Sequence, residues 1–432
     1  MDTVQKLFRF LDESPTCYHA AANAKAALTA AGAVELRESE QWKLKKGTLY
    51  VVERGDSALV AFRVPEGPFH GFLMAAAHSD SPTFKVRETA EAASAGNTLR
   101  LSVEPYGGVW RGWLDRPLSV AGRVVIRQGD RLVSRLVNID RDLLVIPGVA
   151  IHMDRSVNKG AELNPAVDLL PLLGCGKEPG AFRKLIAEAA GVREEHLLST
   201  ELFLYPRTKA VQTGLNGEFI VSPRLDDLQC VFGCLEGFLA AKPGGSLPVL
   251  AVFNNEEVGS NTRQGADSTF LTDVLERIAH GCGLDSDAWK AAVANSFMVS
   301  ADNAHAIHPA HPEYADKGEF PVLGGGIVIK YNANQRYTTD AVSGAVFQAI
   351  CQEAGVPVQR YSNRADLPGG STLGNISTAH LSVPTVDIGL PQLAMHSICE
   401  TAGAADTDYL VKAMTAYFSR DFHRDRDGGI VF

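Results

Sequence analysis

Hydrophobic and polar positions follow two rhythms along this chain, and the change between them divides it. Near the start, Val4–Leu11 has helical spacing, and Thr16, after Ser14-Pro15, is placed to cap a helix running to Ala31 and stopping at Gly32. Thr48–Glu53 and Ala58–Val64 read as strands. Gly71–Ala77 is a continuous apolar run, the pattern of a strand buried on both faces. From about Glu88 the texture changes. Thr98–Val103, Leu118–Arg127 and Asp130–Leu136 alternate, with turn signals at Pro105-Tyr106-Gly107-Gly108 and Gln128-Gly129-Asp130, as antiparallel β structure does. This texture lasts to about Thr213 and includes the polar stretch Lys159–Pro165. After Leu215 the first rhythm returns: a helix from Asp227 to Ala241, strands at Val249–Phe253 and Phe297–Ser300, a helix over Asp340–Glu353, a strand at Val383–Ile388 and a final helix over Ala405–Ser419.

Strands alternating with helices predict an α/β fold with a mostly parallel sheet flanked by helices. The expected division is a catalytic domain from residues 1–88 and 214–432, interrupted by an inserted β-rich domain at 89–213. The length of 432 residues agrees, because single cores stop growing at about 250–300 residues.

Composition narrows the function. A net charge of −9 argues against a nucleic-acid-binding surface. There is no apolar run of about 18 residues to span a membrane. The start, Met1-Asp2-Thr3-Val4-Gln5-Lys6, lacks the basic and apolar segments of a secretory signal. Seven cysteines without CxxC spacing suggest reduced thiols, so a cytoplasmic protein is expected. Cys230 and Cys234, four apart in an expected helix, read as core packing.

The chemistry lies just beyond the expected strands. Glu256 and Glu257 are adjacent carboxylates after the apolar run 247–252. Like charges at the end of a buried strand repel unless a cation sits there, and a divalent metal pair is the simplest cation. One carboxylate would ligate metal while its neighbour handles the proton of an attacking water. His78 follows Gly71–Ala77, and Asp80 is placed to accept its other ring N–H. Asp302 follows Phe297–Ser300, and His396 follows Val383–Ile388. In parallel sheets ligands bind beyond the carboxyl ends of strands, so these positions converge. Asp226, in Arg224-Leu225-Asp226-Asp227, reads alone as a helix cap, but beside the others it is the candidate bridge between two metals. His305 and His308 read as supporting or structural residues. Gly324-Gly325-Gly326 is not a phosphate loop, because no Gly-Lys-Ser/Thr follows and the glycines lead into a strand. Pro368-Gly369-Gly370-Ser371-Thr372 is either a loop that lets backbone N–H groups approach a ligand or a plain tight turn.

These residues, in this order and nearly end to end, resemble the aspartyl aminopeptidase (M18) family of metallo-aminopeptidases. The motifs that carry the resemblance are Ala77-His78-Ser79-Asp80-Ser81-Pro82, Arg224-Leu225-Asp226, Asn255-Glu256-Glu257-Val258-Gly259-Ser260, Ser300-Ala301-Asp302-Asn303-Ala304-His305, Gln335-Arg336-Tyr337 and Pro391-Gln392-Leu393-Ala394-Met395-His396-Ser397. The resemblance implies removal of N-terminal residues, acidic ones preferred, by a water activated between two divalent ions. Zn²⁺ is the expected metal, with Mn²⁺ or Co²⁺ possible. It implies that Asp226 bridges, that His78 and Asp302 complete one metal site and Glu257 and His396 the other, that Glu256 is the general base and that Asp80 orients His78. Lys330 falls where the family recognises a substrate carboxylate. His152 is the candidate for a histidine that enters a neighbouring subunit's active site. The insertion would be a dimerisation domain, and the assembly a homo-oligomer, typically a dodecamer built from dimers. In the family pattern an Asn follows the bridging Asp. Here Asp227 follows Asp226, an extra carboxylate that bears on metal affinity or local geometry. The alternatives are a co-catalytic zinc carboxypeptidase or amidohydrolase, for which Arg336 would bind a terminal carboxylate, and a non-catalytic assembly protein with a vestigial site.

Overall fold

The structure is a computed structural model that describes residues 1–432 apart from 109, 161 and 177–179, so Ala161 of the polar stretch lies outside the described residues. A nine-stranded sheet forms the centre, in the order Val34–Leu36, Leu49–Arg54, Ala58–Arg63, Leu247–Phe253, Phe72–His78, Phe297–Ala301, Thr385–Gly389, Ile327–Tyr331 and Val358–Ser362. The four strands from Leu247–Phe253 to Thr385–Gly389 run parallel. Leu247–Phe253 and Phe72–His78 are buried along their whole length, which is why they read as unbroken apolar runs.

Helices cover both faces. On one side Thr3–Asp12, Cys17–Ala30, Leu225–Ala240, Ala341–Glu353 and Asp406–Phe418 pack a core that includes Leu7, Phe238, Phe347 and Tyr417. On the other, Phe270–Gly281, Ser286–Ala294 and Leu373–His380 pack around Phe72, Phe270 and Trp289. The buried Tyr417 hydroxyl lies 2.9 Å from the carbonyl oxygens of both Met74 and Phe297, so burying it leaves no donor unpaired. Asp340 caps its helix through a capping box with Ser343.

The β-rich insertion closes on itself. Leu197–Pro206 pairs with both Thr83–Ser94 and Pro117–Gln128. Thr98–Tyr106, Leu172–Cys175 and Leu144–Val145 complete the ring, and Arg131–Asn138 lies outside Pro117–Gln128. Closure removes exposed strand edges, and the ring has its own core around Phe84, Trp113 and Phe182. The whole strand Thr83–Ser94 belongs to this ring, so it runs through the change of texture at Glu88. Its pairing with Leu202–Phe203, more than a hundred residues downstream, decides this, and no local pattern carries it.

The glycine run Gly324–Gly326 turns into the strand Ile327–Tyr331, as expected. Its amides hold a carboxylate of the protein itself. Asp406 accepts from Gly324 N–H at 2.8 Å and from Gly326 N–H at 3.0 Å. All seven cysteines are free, and Cys230 and Cys234 are buried in the core helix. No helix among the described residues is long and apolar enough to cross a membrane.

Gly237 lets helix Leu225–Ala240 press against Asp406–Phe418, since a Cβ there would sit 2.5 Å from Met414 Cβ and 3.0 Å from its main chain. Gly237→Ala should therefore lower stability by about 1–3 kcal/mol, measured as a lower urea midpoint. The usual helical advantage of alanine over glycine, about 1 kcal/mol, acts in the opposite direction. A midpoint that rises would show that the two helices separate freely.

Candidate metal centre

The sheet brings the expected residues to one edge. His78 ends its strand. Glu256 and Glu257 lie in a single turn just after Phe253, and Asp302 follows Ala301. The parallel register pairs Phe253 with His78, so these ends are level. Asp226 enters from the first turn of Leu225–Ala240, with φ −79° and ψ 109°, outside helical geometry. Three non-glycine residues at or beside the site have left-handed backbone: Arg224 (φ 62°), Asn255 (φ 62°) and His396 (φ 66°). That conformation costs roughly 1–2 kcal/mol for an L-residue, so the surrounding contacts must hold these turns in place.

Two groups of potential ligands result, and they share Asp226. His78, Asp226, Asp227 and Asp302 form one, and Asp226, Glu257 and His396 the other; the ligand atoms in each lie within 4.8 Å of one another. Asp226 faces both histidines, with Oδ1 3.5 Å from His78 Nε2 and Oδ2 3.1 Å from His396 Nε2. His396 Nε2 is also 3.2 Å from Glu257 Oε2, and His78 Nε2 is 4.0 Å from Asp302 Oδ1. Asp227 turns back toward the sheet, where its Oδ2 accepts the His78 main-chain N–H at 3.0 Å.

Several supporting side chains were not legible in the sequence. Glu400 accepts the N–H of Asp226 at 2.9 Å and that of His396 at 2.8 Å, joining two candidate ligands that are far apart in the sequence. The Asp80 carboxylate accepts the N–H groups of Glu256 and Glu257 at 3.1 and 3.2 Å and the Tyr106 hydroxyl at 2.7 Å. Next to Asp302, Asn303 donates to Gln229 and Gln392 in a buried amide network. Each needs a partner far away in sequence, and a lone Glu, Tyr or Asn carries no local signal of it. The expectation for Asp80 is refined in its atoms. His78 Nδ1 lies nearer the Asp80 main-chain oxygen, at 3.1 Å, than its carboxylate, at 3.4 Å. A carbonyl oxygen only accepts, so Nδ1 carries the proton and Nε2 is left free to ligate.

The electrostatics call for cations. Burial, with Asp226 and Asp80 nearby, pushes the Glu257 carboxyl well above the usual range. Burial raises Glu256 to about 7, with Asp302, Asp226 and Asp80 adding to it against the pull of His78. Asp302 rises to about 6 and Glu400 to about 8, again chiefly through burial. Asp226 goes the other way: burial opposes it, but His396 and His78 hold it below the ordinary range. Asp226 Oδ1, Asp227 Oδ1 and Glu257 Oε1 are buried and accept no hydrogen bond. Bare carboxylate oxygens beside imidazole nitrogens, within ligand distance of one another, fit divalent zinc.

Lys330 is buried on Ile327–Tyr331, its Nζ 3.9 Å from Asp302 Oδ2 and 5.5 Å from the Tyr337 ring. His152 lies in an exposed turn of the insertion. His305 and His308 are exposed and belong to neither ligand group, and Gly369 and Gly370 line a groove with them and Tyr361.

Comparison with known proteins gives these features a context. Residues 10–418 match the sequence profile of the M18 peptidases, described as aminopeptidase I zinc metalloproteases. A protein of Clostridium acetobutylicum named probable M18 family aminopeptidase 2 is 43% identical over 428 residues, covering 97% of this chain and 99% of that one. The cryo-EM structure of the Ape4 and Nbr1 complex contains a chain that superposes at a TM-score of 0.93 with 35% identity, over 96% of this chain and 85% of that one. The S. cerevisiae mApe1 dodecamer superposes at 0.85 with 25% identity, over 96% of each chain. This chain belongs to the M18 aminopeptidase family. It is a zinc-dependent aminopeptidase, a hydrolase acting as an exopeptidase, which sets aside the carboxypeptidase and non-catalytic alternatives.

The raised carboxyls fix the pH response of the metal-free protein. Glu256, Asp302 and Glu400 bind protons more tightly folded than unfolded, where such groups titrate near 4. Their contribution is therefore fully present below about pH 4 and lost as pH rises through about 6 to 8. Chelated protein should show a thermal midpoint that falls across this window. Added zinc should restore it, by more at pH 8 than at pH 5.5, because protons compete with metal for the carboxylates of Asp302 and Glu257. At a free zinc concentration 100 times Kd the gain is about 2.7 kcal/mol. A zinc effect that is constant with pH would count against Asp302 and Glu257 as ligands.

Proposed function

We propose that this aminopeptidase holds two divalent ions, Zn²⁺ with Mn²⁺ or Co²⁺ as substitutes, and prefers Asp or Glu as the N-terminal residue it removes. The observation that carries the reading is the pair of ligand groups sharing Asp226, with Glu256 in neither but close enough to interact electrostatically with His78, Asp302 and Asp226. Asp226 would bridge, His78 and Asp302 would complete one subsite, and Glu257 and His396 the other. Bound divalent ions supply Lewis acidity and lower the pKa of water from 15.7 toward about 7. Glu256 takes the proton of the attacking water and returns it to the leaving amine. Burial raises its carboxyl in the metal-free protein, so the side chain takes up a proton readily. Asp80 orients His78 through its main-chain oxygen and fixes the Glu256–Glu257 backbone through its carboxylate.

Lys330 supports the acidic preference. Burial opposes its charge, but Asp302 and Tyr337 outweigh that and raise its pKa, so the ammonium stays charged. With Asp302 committed to metal, its donors are free for a substrate carboxylate. The β-rich insertion serves dimerisation, and His152 reaches the active site of a partner subunit. Its turn is exposed within the monomer and flanked by exposed Val149, Ile151 and Met153, as a segment covered by another copy would be. The assembly is a dodecamer built from such dimers; the S. cerevisiae neighbour is named as a dodecamer.

Glu256→Gln should keep its full metal content and lose about 10²–10⁴-fold in kcat; near-parental turnover would exclude Glu256 as the base. Aminoacyl anilides of Asp and Glu should be cleaved faster than those of Leu and Lys, and Lys330→Met should raise KM for the acidic pair alone. Equal rates across the four would sink the role of Lys330. An N-acetylated peptide should resist cleavage.

A further inference from the structure

One turn of the β-rich insertion, Tyr106-Gly107-Gly108, where its strand Thr98–Tyr106 ends, touches the metal centre of its own subunit. The Tyr106 hydroxyl donates to Asp80 Oδ2 at 2.7 Å and accepts from Asn255 Nδ2 at 2.9 Å. Asn255 is the left-handed residue just before Glu256, and its Oδ1 is held by Thr262 and Gln264. Asp80 in turn accepts the main-chain N–H groups of Glu256 and Glu257. One phenol thus joins the two groups that fix the Glu256–Glu257 turn. The glycines continue the contact. A Cβ on Gly107 would lie 3.4 Å from Glu257 Cβ and Oε2, and one on Gly108 would lie 2.3 Å from Pro82 Cβ and 3.2 Å from the His396 carbonyl oxygen. Both residues have positive φ, 65° and 74°, so glycine permits the turn and the close approach together. On the insertion side the Tyr106 ring meets Phe203 edge-on at 5.7 Å.

We propose that Tyr106, with the two glycines after it, is a positioning element by which the insertion holds the Asp226–Glu257–His396 subsite and the Glu256 turn within its own subunit. This rests on the reading of two metal subsites. The insertion then has a role in cis that is separate from assembly. Removing the hydroxyl leaves Asp80 Oδ2 with the Glu257 N–H alone and takes the partner from Asn255 Nδ2. Groups that orient metal ligands in this way are worth about 10–100-fold in metal affinity or activity.

The test is retention of zinc by the full-length assembled enzyme under increasing chelator, with metal per subunit measured directly. Tyr106→Phe keeps the ring against Phe203. It should release one of two zinc ions at about 10–100-fold lower chelator activity than the parent, lower kcat with KM within about twofold, and keep the parental assembly size. Phe203→Leu loosens the same packing without touching the hydroxyl network and should retain zinc as the parent does. Parental zinc retention and kcat in Tyr106→Phe would overturn the proposal. So would equal zinc loss in Phe203→Leu, which would make packing the cause. A parent that binds only one zinc per subunit would overturn the two-subsite reading itself, and that outcome is seen before any variant is made.

Discussion

Seven carboxylates, those of Asp80, Asp226, Asp227, Glu256, Glu257, Asp302 and Glu400, are gathered where the central sheet ends, most of them out of contact with water. Against them stand two imidazoles and the buried ammonium of Lys330. Buried like charges of this density are not stable together unless they take up protons or are matched by cations. Glu256, Glu257, Asp302 and Glu400 all show the first tendency in their raised carboxyls. Divalent metal answers the same demand without neutralising the ligands, and the remainder of the site is arranged around that need.

The protein sorts its carboxylates by what it offers them. Asp80 and Glu400 receive a main-chain N–H on each oxygen, and Asp406, remote from the centre, is held by two glycine amides in the same manner. These are internal anions satisfied by the backbone. Asp226, Asp227 and Glu257 each keep a buried oxygen with no donor. Backbone amides therefore saturate Asp80, Glu400 and Asp406, and leave bare oxygens on three carboxylates of the two candidate ligand groups. Asp227 shares both characters: one oxygen is tied to the His78 N–H and the other is bare within the first ligand group.

The left-handed turns at Arg224, Asn255 and His396 follow from the same arrangement. Each brings a ligand-bearing segment back over the sheet edge. Two are braced from elsewhere in the chain, Arg224 by donating to the Leu11 carbonyl oxygen and Asn255 by donating to the Tyr106 hydroxyl, and the His396 N–H is held by Glu400, which also holds the N–H of Asp226. Strain of this kind persists only where distant contacts over-determine it, so the site depends on the completed fold.

By itself the sequence determined the alternation of strands and helices, the fully buried strands that end at His78 and Phe253, and the candidate ligands placed just beyond strand ends. Those features are local, because an apolar run or a polar residue following it can be seen within a few positions. Tertiary structure decided the rest. The ring that joins Thr83–Ser94 to Leu197–Pro206, the approach of Glu400 to Asp226, and the reach of Tyr106 to Asp80 all link residues between 26 and 174 positions apart. A carboxylate or a phenol has the same local pattern whether it faces solvent or closes such a contact. Only the packing of the sheet against its helices and insertion sets the distance, and distance determines which acids meet in the candidate ligand groups and which are held by backbone amides beside them.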